Sequence, residues 1–237
     1  MKDILTQGLA QLDITPPPEA IDRLCRYAQL LVEQNKVMNL TGITEFDEVL
    51  VKHFLDSLCC VKAVDMGKIK TVMDIGTGAG FPGVPLKIAF PEVEACLLDS
   101  LNKRVKFLEE TFAILGLEGI SAIHGRAEEY AKNKAYREKY DLCVSRAVSG
   151  LATLSEYCLP YVKVGGLFVS YKSGSVKEEA EAAEKAVKIL GGKIRDIQYF
   201  DLPGSEIGRS LVIIEKVKNT PGKYPRKAGT PLREPLA

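Results

Sequence analysis

Residues 74–83 read DIGTGAGFPG, with glycine at every second position from Gly76 to Gly80, followed by Phe81-Pro82-Gly83. Glycine gives up the most backbone freedom on folding. A run of it is favoured where bare backbone must approach a ligand or adopt dihedral angles closed to other residues. The preceding IKTVMDI (69–75) reads as a continuous apolar strand, and VPLKIAF (84–90) behind it reads as helix. Strand, glycine turn and helix together give the motif meaning, because a ligand then meets the carboxyl end of the strand beside a helix N-terminus. Pro82 and Pro85 suit a first helical turn, whose amides lack intrahelical partners. The plain alternative is a tight connection that binds nothing.

Outward from this stretch, further short β-like runs occur at 94–99, 120–125, 140–147 and 165–172, with helix-like segments between them. Continuous apolar strands separated by helices predict an α/β fold with a parallel sheet covered on both faces. KIRDIQYF (193–200) and RSLVIIEKV (209–217) are joined by DLPGSEIG, too short for a crossover helix, so they should form an antiparallel hairpin at the sheet edge. Residues 1–66 lack the strand period. Thr15 and the prolines after it predict the start of one helix, and Thr44 with Asp47 predicts a capping box for a second. Three parts follow: a helical cap (1–66), the sheet domain (67–217) and a tail (218–237).

Composition narrows the partners. The chain has 237 residues, 46% apolar and 27% charged, with net charge +1, and no apolar run long enough to span a membrane. Six cysteines show no C-x-x-C spacing, and with only two histidines a metal centre is not expected. Cys96 and Cys143 lie in strand-like runs and read as buried apolar residues. From Lys216 onward there are six basic residues, four prolines and a single acid, Glu234. Such a tail is either solvated and extended or an arm that contacts phosphates.

Spacing then separates two nucleotide readings of the glycine turn. A dinucleotide fingerprint would place its third glycine at position 81, which is Phe81. The observed D-x-G-x-G-x-G instead resembles motif I of the Rossmann-like S-adenosylmethionine-dependent methyltransferases. Asp99 ends the second strand nineteen residues after Gly80, where a carboxylate can accept both ribose hydroxyls. A helix-capping role for Asp99 is compatible with the same position. GRAEE (125–129) follows the third strand, where methyltransferases place residues against adenine.

At the end of the fourth strand stands VSRAV, not the Asn/Asp-Pro-Pro-aromatic motif of amino-directed DNA methyltransferases. No obvious base is present. Guanine N7 fits that absence, since its lone pair lies free in the base plane and catalysis reduces to in-line positioning and tolerance of charge. Arg146 would then hold O6, a phosphate or the cofactor and leave N7 open.

NKVMNLTGI (35–43), HFLDS (53–57), LLDSLNKRVKFL (97–108), SRAV (145–148), Arg209 and YPRKAGTP (224–231) carry a more specific likeness. The chain resembles, essentially end to end, the bacterial 16S rRNA guanine-N7 methyltransferases, also called the glucose-inhibited division protein B family. The resemblance implies a seven-stranded methyltransferase domain under a small helical cap, and S-adenosyl-L-methionine as methyl donor without a metal. Gly76, Gly78, Gly80 and Phe81 would line its methionine and ribose part. Asp99, Ser100 and Leu101 would hold the ribose, and Ala127 and Glu128 would meet the adenine. Arg146 would border donor and target base, with Asn39, His53, Lys172, Arg209 and Arg226 around the substrate mouth. For Asn39 and His53 the competing expectation is a helix cap and a satisfied core histidine.

The implied substrate is a guanine in the decoding-region loop, presented by 16S rRNA or the small-subunit particle. Lys223, Arg226 and Lys227 would contact its phosphates. The expected protein is a cytoplasmic monomer that does not bind membranes. The rivals are a small-molecule methyltransferase and a non-catalytic rRNA-binding module on the same fold. Replacing Arg146 with Ala is expected to abolish turnover while leaving the fold intact, checked by methyl transfer and circular dichroism; retained activity would refute its role.

Overall fold

The computed structural model of the chain describes residues 2–146 and 148–236; Ala147, the third residue of SRAV, lies outside them with the two chain ends. Seven strands form one sheet: β1 (Thr71–Ile75), β2 (Glu94–Asp99), β3 (Ile120–His124), β4 (Tyr140–Arg146), β5 (Val162–Ser173), β6 (Gly192–Asp201) and β7 (Gly208–Lys216). Their spatial order is β3-β2-β1-β4-β5-β7-β6. β1 to β5 run parallel, and β7 lies antiparallel between β5 and β6, which makes the expected terminal hairpin. β1 pairs with β2 on one side and β4 on the other, so the chain order reverses there and a crevice opens at the carboxyl ends. The glycine turn sits in that crevice.

Ten α-helices accompany the sheet among the described residues: α1 (Lys2–Gln11), α2 (Ala20–Met38), α3 (Phe46–Val49), α4 (Asp56–Leu58), α5 (Gly83–Ala89), α6 (Asn102–Leu115), α7 (Ala127–Tyr130), α8 (Leu151–Cys158), α9 (Lys177–Ile189) and α10 (Thr230–Arg233). The N-terminal helices pack with α5 and α6 in one core that includes Leu24, Leu31, Phe54, Val84 and Leu108. α8 and α9 supply Leu154, Ala183 and Val187 to a second core, beside Met73, Cys143 and Phe168 of the sheet. The cap is therefore not cored separately from the sheet. No helix among the described residues is long and apolar enough to cross a membrane.

Tyr27 ties cap to crevice. Its buried ring stacks on Phe54 at 5.2 Å and on Phe81 at 5.5 Å, and its hydroxyl donates to the carbonyl of Ala79 in the glycine turn.

Local departures from the sequence reading cluster in the cap. α2 starts at Ala20 behind Glu19, without a side-chain cap, so neither Thr15 nor the prolines belong to its first turn. Consecutive prolines hold the residues before them extended and keep the helix from starting there. α3 starts behind Glu45, again without a side-chain cap, so the Thr44–Asp47 capping box does not form. α3 then widens into a π-helical segment, Leu50–Leu55, before α4. The wider turn sends Phe54 and Leu55 into the core while His53 and Asp56 both reach the crevice.

The tail is not a solvated arm. Lys216 is fully buried, its ammonium donating to Leu159 O (2.6 Å) and Thr220 Oγ1 (2.7 Å), and burial lowers its pKa to about 8 against the opposing pull of Glu138. Arg137 donates to the carbonyls of Thr220 and Tyr224. The chain from 217 onward is thereby folded back over α7 and α8. Tyr27→Phe would leave the Ala79 carbonyl without its buried partner and should cost about 1–2 kcal/mol, read as a lower midpoint in urea unfolding; an unchanged midpoint would show that the hydroxyl contributes nothing.

Candidate functional site

Gly76, Gly78 and Gly80 take φ of +70°, +62° and +102°, left-handed conformations that side chains resist. The turn they make rests on Asp74, which is buried at the end of β1. Its Oδ2 accepts from Thr77 Oγ1 (2.7 Å) and from Gly83 N (2.8 Å). A Cβ on Gly83 would lie 2.8 Å from that same oxygen, so glycine is what admits the bond. Oδ1 has no partner among the described residues. Burial pushes the carboxyl up to about 7, against the hydrogen bonds from Thr77 and Gly83.

A cavity of about 330 Å³ opens above this turn, with Ile75, Gly76 and Leu98 beneath and Asp99, Ser100, Ala127 and Glu128 at its sides. Asp99 ends β2 as expected. Its Oδ1 accepts from Leu101 N (2.9 Å), while Oδ2 accepts from Gly78 N (2.9 Å) and Arg104 Nη1 (3.3 Å). It therefore supports the start of α6 and also presents a carboxylate to the cavity. Gly78 and Leu101 join the site through Asp99. Gly80 faces elsewhere: a Cβ there would meet the Tyr27 hydroxyl at 2.5 Å, so its lack of a side chain serves the packing of α2.

Phe81 packs against two residues of a second cavity. Its buried ring stacks on His53 at 4.6 Å and lies 5.1 Å beneath the Arg146 guanidinium. This second cavity, of about 290 Å³, is lined by Lys52, His53, Asp56, Arg146, Lys172 and Arg209, with Ile43, Tyr171 and Ser173. Four cations thus surround one carboxylate. Asp56, only 4% exposed, accepts from Arg146 Nη1 at 2.8 Å on Oδ2 and meets Arg209 Nε at 3.3 Å on Oδ1. Lys172 donates to Ser149 O (3.0 Å) and to Glu179 Oε1 (2.7 Å), and that same oxygen accepts from Leu151 N (2.7 Å). The loop between β4 and α8 is pinned at its far end by this pair.

His53 has one allowed tautomer here. Arg146 Nη2 lies 3.1 Å from Nδ1 and can only donate, so Nδ1 is unprotonated and Nε2 carries the hydrogen toward Thr41 Oγ1 at 2.7 Å. Burial and the adjacent guanidinium lower the imidazole to about 3, so it is neutral at physiological pH. Its free lone pair is already spent on Arg146.

Five expected residues thus line the first cavity (Gly76, Asp99, Ser100, Ala127 and Glu128), and four of the six expected at the target base and substrate mouth line the second (His53, Arg146, Lys172 and Arg209). Asn39 does not. It closes α2 in a left-handed conformation (φ 50°), its side chain exposed, and Asn35 does the polar work of the loop by holding both Thr41 N and Thr41 O. Lys223 and Lys227 are exposed, whereas the Arg226 guanidinium grips the buried Glu156 carboxylate, with Nη2–Oε2 at 2.7 Å. Asp56, Glu179, Glu156 and Arg104 escape a reading by motif. Asp56 lay within HFLDS, where its spacing from His53 was the available signal. Arg146 also proves structural: its removal strands half of a buried carboxylate and costs about 3–5 kcal/mol, so Arg146→Ala would not leave the fold untouched.

A family model described as rRNA small subunit methyltransferase G matches residues 20–207. A protein named ribosomal RNA small subunit methyltransferase G from Alkaliphilus oremlandii is 50% identical over 236 residues, covering 100% of this chain and 99% of its own. One of the same name from Lachnoclostridium phytofermentans is 52% identical, covering 97% and 95%. Among solved structures, PigF with SAH superposes with a TM-score of 0.51 at 16% identity, covering 68% of this chain and 61% of that chain, a likeness of fold.

The folded state holds a proton on Asp74 up to about pH 7, whereas an unfolded aspartate loses it near 4. This group's contribution to stability is complete below pH 4 and is lost as pH rises to 7. His53 has the opposite sign, its contribution being lost as pH falls below the usual 6.5 toward 3. Asp74→Asn should therefore gain stability relative to the parent between pH 4 and 7, by up to about 4 kcal/mol, measured by urea unfolding across that range; a pH-independent difference would refute the shift.

Proposed function

This chain belongs to the rRNA small subunit methyltransferase G family, and we propose that it transfers the methyl group of S-adenosyl-L-methionine to N7 of a guanine in the decoding-region loop of 16S rRNA. The observation that carries the assignment of sites is the pair of cavities flanking the end of β4, one with a ribose-type carboxylate and one rimmed by four cations.

The first cavity fits the methyl donor. Asp99 stands at the end of β2 where ribose hydroxyls can be accepted, and Gly76, with Val148 packed where a side chain would be, lines the cavity beside β1. Ala127 and Glu128 wall the adenine end, with Ser100 beside the ribose. When bound, the donor supplies an electrophilic methyl on a sulfonium. Gly78 and Leu101 act through their amides on Asp99, and Phe81 supports His53 and Arg146.

The second cavity takes the base. Arg146 can donate to O6 or a phosphate while Asp56 and His53 hold its fork in one orientation. Guanine N7 needs no deprotonation, which agrees with an imidazole that is neutral and whose lone pair is engaged. Lys172 and Arg209 offer charge to the rRNA backbone, and Asp56 keeps the guanidinium cluster from opposing the positive charge that forms on the methylated base. Lys223 and Lys227 extend the phosphate contacts along the exposed side of the tail, with Arg226 between them as their anchor. The protein works as a cytoplasmic monomer.

Labelled methyl donor supplied with small-subunit particles, naked 16S rRNA, large subunits, tRNA and free guanosine should label small-subunit rRNA alone, at a position that yields 7-methylguanine on digestion. Absence of that product would sink the proposal, and label in free guanosine would favour a small-molecule enzyme.

A further inference from the structure

The tail that folds back from β7 ends on the first cavity. Thr220 and Asn219 are held by Glu138, Arg137 holds the carbonyls of Thr220 and Tyr224, and Arg226 places its guanidinium and its own N–H on Glu156. Glu156 is fully buried, and a buried carboxylate is tolerable only while its partner stays in place. The segment is thus a fixed strap. Two further bonds set its height: Gly229 N donates to Glu128 Oε1 at 2.8 Å, and Thr153 Oγ1 donates to Pro231 O at 3.0 Å. They carry α10 to the cavity rim, where Leu232 joins Ile75, Leu98, Ala127 and Tyr157 as its apolar lining.

Leu232 is 62% exposed, a large apolar side chain lining the same cavity as the Asp99 carboxylate. A polar strap with one leucine at a pocket rim suits an apolar ring face covered from that side. We propose that the strap is a wall of the methyl-donor site, with Leu232 covering the adenine and the Glu128–Gly229 bond fixing its position. The inference rests on the assignment of this cavity to S-adenosyl-L-methionine. It gives Glu128 a defined task, since its carboxylate holds the wall while its backbone adjoins the ligand. The bond from Arg226 Nη2 to Glu234 O, 2.8 Å, secures the strap beyond Leu232.

The test uses the full chain and S-adenosylhomocysteine as probe, titrated calorimetrically. The parent should bind, Leu232→Asp should raise Kd about tenfold, and Leu232→Met should restore it. Melting temperatures of both variants should match the parent, because the side chain is exposed. Saturation with the probe should also slow amide exchange at residues 229–233 while leaving β6 unchanged. Failure of the parent to bind would overturn the donor assignment and this inference with it. Parent-like affinity of Leu232→Asp, or exchange at 229–233 indifferent to the probe, would overturn the strap alone.

Discussion

A buried carboxylate between two guanidinium groups is the constraint on which the second cavity of this molecule depends. Asp56 comes from the cap, Arg146 from β4 and Arg209 from β7. None could stand alone in so dry a place, because an isolated buried charge costs far more than one ion pair returns. The triad is stable only when cap and sheet are docked, and the docked arrangement sets the direction of Arg146. Phe81 beneath and His53 beside it remove the remaining freedom of that side chain. A group aimed in this way costs little reorganisation when substrate arrives.

The same logic recurs where the tail leaves the sheet. Glu156 with Arg226, and Lys216 with Glu138, Leu159 and Thr220, are charges buried because a strand end and a strap meet there. Polar groups in this fold act less as glue than as locators: each is satisfied in one arrangement, while the apolar cores tolerate several. The first cavity lies at the strand-order reversal beside β1 and the second at the ends of β4, β5 and β7, so a few located groups suffice to define them.

Much of this was legible in the chain. The alternation of apolar strands with helices predicted the sheet, and the short 201–208 connection predicted the antiparallel hairpin, because both follow from periodicity and loop length. DIGTGAGFPG placed the first cavity, since glycine spacing and a strand-end aspartate are local signals. What stayed hidden was long-range pairing. Nothing in HFLDS says that Asp56 will meet residues 90 and 153 positions away, and nothing in YPRK says that its arginine will grip a helix instead of a phosphate. The cap boundaries were misread for another reason: local hydroxyls and prolines compete with tertiary packing, and around α2 and α3 packing prevailed.

The cysteines have a bearing beyond the core they fill. All six are free and buried, and none lines the first or the second cavity. Burial pushes the thiols of Cys59 and Cys60 up to about 12, so both stay in the unreactive thiol form at neutral pH. These two lie where the cap joins the sheet, and Cys143 with Cys158 lies between β4 and α8. Alkylating reagents therefore reach these four fully buried thiols only when the protein opens, and the site of modification records which seam gave way first.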